Sequence, residues 1–323
     1  MDYRSLNHQI KPVGAAMNDA WQRVLGRLGD YTALVVGAAN LRPSAVTFYA
    51  QTEQFVLVRI LVAGEYLILR IAPEEDMAAY VFFVRTMSGQ KLPSVRIIQR
   101  DLSRTRVPFA YTIESFVPGL PATTLSDEAL LRSAGRQAGQ TLRRMHRIAV
   151  PGVGRPNALG RWPDQSWYNV LHQISALLVP PPVDAMLFGE FERSVLALIP
   201  TDERLNLEQP CLIHGNFGPE VVRCTTGSHV QLEMIAEPSP WVGGDGLFDL
   251  ARGLCAIYPD AWREGLLDGY QSITPLNEAE RTRLALLRLL TNAWIACYRY
   301  SRALPHEAAL NEALDLFDGL IMA

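Results

Sequence analysis

One stretch constrains this chain more than any other: Cys211-Leu212-Ile213-His214-Gly215-Asn216-Phe217-Gly218-Pro219-Glu220-Val221-Val222. A short apolar run enters it, a polar turn containing Gly and Pro occupies its middle, and a second apolar run leaves it. Short apolar runs bounded by turn residues read as strands, so the stretch is expected to be a strand, a loop and a strand. The second strand continues over 221–224, turns at Thr225-Thr226-Gly227-Ser228, and returns over 229–236. Met234-Ile235-Ala236-Glu237 closes this hairpin, and Gly244-Asp245-Gly246-Leu247-Phe248-Asp249-Leu250-Ala251 follows it.

The chain has 323 residues, 49% of them hydrophobic, which is ample for a packed core and suggests two domains or lobes. A net charge of −3 gives no electrostatic case for nucleic acid or a membrane surface. The only lysines are Lys11 and Lys91, an arginine bias that reads as the mark of a GC-rich genome. Cys211, Cys224, Cys255 and Cys297 lack paired-ligand spacing and read as reduced thiols of a cytoplasmic protein. No signal peptide is recognised at the start. No apolar run reaches the roughly 18 residues of a membrane span; the most apolar region, 55–71, is broken by Arg59, Gly64 and Glu65.

Residues 1–15 read as a loose arm. Met17, Trp21, Val24, Leu25 and Leu28 fall at helical spacing over 16–28, with Gly29 as the stop. Three β-rich runs follow over 45–50, 55–62 and 66–71, joined by turns at Thr52-Glu53-Gln54 and Ala63-Gly64-Glu65. A helix is expected over 74–88, its dipole complemented by Glu74, Glu75 and Asp76. Strands are expected over 94–99 and 109–116. Ser126 reads as the N-cap of a helix with an apolar face of Leu130, Ala134, Ala138, Leu142 and Met145. Residues 151–163 form a Gly/Pro-rich connector. Amphipathic helices are expected over 167–178 and 186–198, split by Pro180-Pro181-Pro182, and further helices over 247–257, 261–270, 278–300 and 307–320.

His214-Gly215-Asn216 followed by Val221 resembles the "HGDxxxxN" loop of the aminoglycoside phosphotransferase and choline kinase-like family, a cousin of the protein-kinase loop H-R-D-x-x-x-x-N. The stretch from Met234 through Ala251 resembles the family's "I-I-D-W-E…G-D-P…D-L-A", and Leu142-Arg143-Arg144-Met145-His146 its "L-x-x-L-H" helix end. The resemblance covers most of the chain. It implies an α+β, protein-kinase-like bilobal fold with a β-rich N-terminal lobe over 1–112, a hinge over 113–119, and a helical lobe over 120–323. The catalytic hairpin, 208–237, is let into that helical lobe.

The same resemblance assigns roles. Leu69-Arg70 occupies the strand end whose basic residue reaches nucleotide phosphates. The helix that should supply its Glu partner carries Ala79, Tyr80 and Val81, so Arg70 loses that partner. The phosphate-covering glycine loop is degraded, whether it lies at Gly37-Ala38-Ala39-Asn40 or at the 52–54 turn. Ile113-Glu114-Ser115-Phe116-Val117-Pro118-Gly119 resembles the hinge, where backbone groups of Glu114 and Phe116 would recognise adenine. His146 is expected to be structural.

In the family the loop Asp accepts the substrate proton and the loop Asn holds magnesium. Here Asn216 cannot act as a base and Val221 has no oxygen for a hard cation. Glu237 fills the second metal position with a carboxylate one methylene further out, and Glu220 is the candidate replacement ligand. His214 frames the loop and Asp249 anchors it. The resemblance implies ATP and magnesium as cofactors, and the substitutions count against both. The pattern reads as a pseudokinase-type protein binding a nucleotide or small molecule in the interlobe cleft, or a protein partner. The alternative is an ATP-dependent phosphotransferase acting on a small-molecule hydroxyl through a rearranged metal site. An aminoglycoside substrate is unsupported, because Glu278 and Glu280 are interleaved with Arg281, Arg283 and Arg288.

Overall fold

A computed structural model describes residues 3–8, 24–51, 55–72, 77–227 and 229–322. The chain divides into two compact units: Met1–Val117 with Asn157–Arg161, and Pro118–Pro156 with Trp162–Ala323.

The first unit is built on an antiparallel sheet of five strands: β1 (Ala45–Gln51), β2 (Val56–Val62), β3 (Glu65–Ala72), β4 (Ile97–Asp101) and β5 (Ala110–Ser115). Their order is β1-β2-β3-β5-β4. Alternation along a strand sends successive side chains to opposite faces. Val56, Val58, Ile60, Leu69, Ile71, Tyr111 and Ile113 therefore share one face and are buried together with Leu28, Val35 and Val36 of helix α1 (Leu28–Ala38). Arg70 and Glu114 belong to the other face. Across β3 and β5 the register pairs Arg70 with Thr112 and Ile68 with Glu114. Helix α2 (Met77–Gly89) buries Ala79, Tyr80, Phe83 and Val84.

Two expectations here are corrected. Gly29 does not end a helix: it lies inside α1, and a Cβ on it would collide with the Tyr3 carbonyl, so it serves close backbone approach. Gly37-Ala38-Ala39-Asn40 is no phosphate loop but the end of α1, closed by Asn40 at φ +53°. The other candidate, the 52–54 turn, lies outside the described residues, as do 9–23 and the 73–76 helix start.

The second unit contains β6 (Leu120–Pro121), β7 (Cys211–Leu212), β8 (Val222–Thr226), β9 (Val230–Ile235) and β10 (Gly243–Gly244). Its helices are α3 (Glu128–Met145), α4 (Trp167–Leu178), α5 (Val183–Leu187), α6 (Glu190–Leu198), α7 (Gly246–Gly253), α8 (Asp260–Ile273), α9 (Glu278–Ser301) and α10 (Glu307–Met322). The cap of α3 is Asp127 rather than Ser126, its carboxylate accepting from the Leu130 N–H at 2.9 Å. The single helix expected over 186–198 is two, α5 and α6, separated at Phe188 and Gly189.

Helices α3 and α8 cross backbone to backbone. Gly135 and Gly139 on one and Gly265 and Gly269 on the other leave no room for a Cβ against the partner's peptide groups. Removing those side chains allows the closest helix packing available. Helix α9 is buried through its middle, from Leu286 to Cys297. Its fully buried Asn292 accepts the Ala256 N–H at 3.1 Å and donates to the Arg288 carbonyl at 2.9 Å. The bond from Ala256 ties the turn after α7 to α9. Among the described residues no helix is long and apolar enough to cross a membrane.

Candidate functional site

The polar loop leaves β7, which pairs with β10, and is held from beneath by α7. Asp249 is fully buried, and its two carboxylate oxygens accept the backbone N–H groups of His214 (2.6 Å) and Gly215 (2.7 Å). A carboxylate receiving two N–H groups is a strong, charge-assisted anchor. The turn requires glycine: Gly215 has φ +74°, and a Cβ there would strike Ser239 Oγ and lie 2.7 Å from the Trp241 carbonyl. Behind Asp249, His146 Nε2 lies 3.3 Å from Oδ2, His146 Nδ1 meets the Tyr270 hydroxyl at 3.0 Å, and Arg143 donates to Tyr270 and Glu280, each at 3.1 Å.

The His214 ring is buried and bridges two parts of the loop. Nε2 donates to the Ala236 carbonyl at 2.8 Å, while Nδ1 accepts the Asn216 N–H at 3.3 Å. Burial pushes its pKa below the ordinary histidine value, with Asp249 opposing the shift, which suits the neutral tautomer those bonds require. Asn216 is exposed, and its Oδ1 accepts a hydrogen bond from Arg252 Nη2 on α7. Four residues beyond Asn216, Glu220 accepts the Tyr258 hydroxyl at 2.9 Å. Burial, reinforced by the Glu220 charge, pushes the Tyr258 phenol well above its ordinary value, so it remains a donor. Glu237 follows β9 at φ +58°, a left-handed conformation that costs a non-glycine residue energy.

Of the two magnesium positions implied by the sequence resemblance, one holds a carboxylate, Glu237, and the other holds Val221. Val221 is 5% exposed and presents only carbon. The Glu220 carboxylate accepts a hydrogen bond from Tyr258.

Arg70, Glu114 and Phe116 lie in the first unit. Arg70 does have a carboxylate partner, supplied by Glu114 rather than by the helix: Nε to Oε1 is 3.2 Å, with both side chains buried. Thr112 Oγ1 donates to the same oxygen. Tyr80, standing where a helix Glu was expected, puts its ring 4.3 Å from the guanidinium, and Phe55 lies at 4.8 Å on the same group. Phe116 packs edge-on against Tyr49 and Tyr66, and its N–H reaches the Tyr66 carbonyl at 3.3 Å.

His214, Asn216, Glu220, Glu237 and Asp249 thus belong to one loop system. Sequence reasoning missed Arg252, Tyr258, Tyr80 and Thr112. A signal for Arg252 exists: it stands three residues after the anchoring Asp249 on one helix, hence on the same side of it.

A small antiparallel sheet in one unit, a helical second unit, and a carboxylate-anchored loop carrying a hairpin define a kinase-like phosphotransferase fold. The chain belongs to the phosphotransferase enzyme family, which matches residues 50–227. Among solved structures it is similar to aminoglycoside phosphotransferase APH(4)-Ia, with a TM-score of 0.62 and 13% identity over 90% of this chain and 98% of that one. A thermostable mutant of that enzyme in ternary complex with AMP-PNP and hygromycin B gives 0.60 and 15% over 88% and 96%. Macrolide 2'-phosphotransferase MphH from Brachybacterium faecium gives 0.56 and 12% over 88% and 97%. No curated protein matches the sequence.

Proposed function

We propose that this chain is a non-catalytic member of the family, a pseudokinase-type protein that binds a nucleotide or another small molecule without transferring phosphate. The observation that carries this reading is Asn216. It stands at the family's base position, and its only acceptor oxygen is occupied by Arg252. A carboxamide cannot take a proton from an attacking hydroxyl. Val221 adds to the argument, since phosphoryl transfer depends on positioning and on cationic neutralisation of developing charge. A structural neighbour holds AMP-PNP and hygromycin B, which supports a nucleotide as the first ligand to try. A polycationic second ligand is not favoured: Glu280 is committed to Arg143 and to the cap at Asn277. The test is magnesium-dependent release or transfer of the ATP γ-phosphate. The expected result is no turnover above a protein-free control, and turnover that Asn216→Ala abolishes would sink the proposal.

A second reading, an ATP-dependent phosphotransferase acting on a small-molecule hydroxyl, is favoured by Glu237. It keeps a carboxylate at the second metal position, in a strained backbone conformation of the sort functional sites retain. Under that reading Glu237→Gln would abolish magnesium-dependent turnover.

A further inference from the structure

The substitution at position 216 removes a base, and the residue that meets it adds a cation. Arg252 donates one guanidinium N–H to Asn216 Oδ1 and forms no ion pair among the described residues. Three other partly buried arginines of the same unit are each neutralised: Arg143 by Glu280, Arg283 by Asp245 and Arg288 by Glu312. A guanidinium carries five N–H donors in a fixed fork, so most of Arg252 remains uncommitted. The bond to Oδ1 also orients the Asn216 carboxamide, whose Nδ2 is a second donor at an exposed position. The N–H groups of His214, Gly215 and Asn216 are already used, the first two by Asp249 and the third by the His214 ring. At position 216 itself the surface therefore offers a fork and an amide, both donors, where the family's pattern places an acceptor.

We propose that Arg252 and Asn216 form a metal-independent binding site for a phosphate group. The site deepens the non-catalytic reading and rests on it: the fixed guanidinium supplies the counter-charge for which a metal ligand is missing. Guanidinium forks match tetrahedral oxyanions, and an amide N–H completes the contact. Two carboxylates share the neighbourhood, Glu220 and Glu237, and both act on the His214 ring. They weaken binding of an anion, and Tyr258 restrains the first of them. Neutralising Glu220 is therefore expected to strengthen the site, a response that a purely structural Arg252 would not produce.

The experiment is calorimetric titration of the full chain with inorganic pyrophosphate, in EDTA and at low salt. Wild type is expected to bind. Arg252→Gln is expected to lose roughly tenfold or more in affinity, the effect of one charge-assisted contact, and Glu220→Gln to bind more tightly than wild type. Asn216→Asp provides a second check should Arg252→Gln fail to fold: the new carboxylate pairs with Arg252, preserves the loop and removes binding. No binding by wild type in EDTA, or equal affinity in wild type and Arg252→Gln, overturns the site. ATP in place of pyrophosphate separates the sources. Tighter binding of ATP identifies a nucleotide, and equal binding identifies a phosphorylated small molecule. Failure of the non-catalytic reading is seen separately, as magnesium-dependent ATP turnover.

Discussion

Arg70 Nε lies 3.2 Å from Glu114 Oε1, joining β3 to β5 through a buried ion pair. The pair is laid on a sheet face and closed by the Tyr80 and Phe55 rings. Tyr80, from α2, thus contributes an aromatic face where an acid was expected. Its own hydroxyl is pushed well above the ordinary tyrosine range by burial, so it stays protonated beside Glu114.

Removing Arg70 leaves the fully buried Glu114 without its guanidinium partner, with hydroxyl contacts from Thr112 and Tyr80 in its place. Breaking one side of such a pair costs about 3–5 kcal/mol, whereas replacing both sides with apolar groups is often nearly neutral. Arg70→Met is therefore expected to destabilise the first unit severely, and Arg70→Met/Glu114→Leu to recover most of the loss. Thermal unfolding of the two variants checks this, and a double variant no better than the single one would contradict it.

Asp249 holds two loop N–H groups with one carboxylate. Asparagine keeps one acceptor and turns the other into a donor facing an N–H. Hydrogen bonds to a charged group are worth about 1.5–3 kcal/mol, so Asp249→Asn is expected to cost about 2–3 kcal/mol. It should also raise amide exchange at His214 and Gly215. Unchanged exchange at those two amides would show that the anchor lies elsewhere.

How much of this was legible beforehand depends on whether the information was local. His214, Gly215 and Asp249 could be placed because the loop and its anchor are short motifs at fixed spacing. The sheet strands could be placed because alternation and turn residues mark them. The partner of Arg70 could not, since Glu114 is 44 residues away and meets it only through strand register. Arg252 was hidden for a different reason: its partner Asn216 was read as a missing base rather than as an acceptor. The cap at Asp127 instead of Ser126 shows two good capping residues in a row, a choice that only the backbone angles make.

Glu237 carries φ +58°. A left-handed conformation costs a side-chain-bearing residue about 1–2 kcal/mol, while glycine loses some of that advantage through its freer unfolded chain. Glu237→Gly is expected to raise stability by about 0.5–1 kcal/mol net. A fall in melting temperature would mean that the carboxylate makes a stabilising contact outweighing the strain.

His214 has a depressed pKa in the folded chain because it is buried. The unfolded chain therefore binds a proton first as pH falls, and stability is full above the ordinary histidine value, about 6.5. Below it, stability declines by up to about 1.4 kcal/mol per pH unit until the folded-state value is passed. Asp245 acts with the opposite sign, since burial raises its pKa and its contribution is lost as pH rises through its own range. Melting temperature followed from pH 7 to about 5 is expected to fall more steeply in wild type than in His214→Gln. Parallel curves would remove His214 as the source.

The most direct measurement of the central claim is thermal unfolding with ATP, with and without magnesium. A ligand that binds only the native chain stabilises it by about 2.7 kcal/mol at a hundredfold excess over its dissociation constant. Under the proposed non-catalytic reading of Asn216 and Val221, the expected shift is the same in EDTA as in magnesium. A shift that appears only when magnesium is added would contradict the account, because it would require a working metal site on this loop.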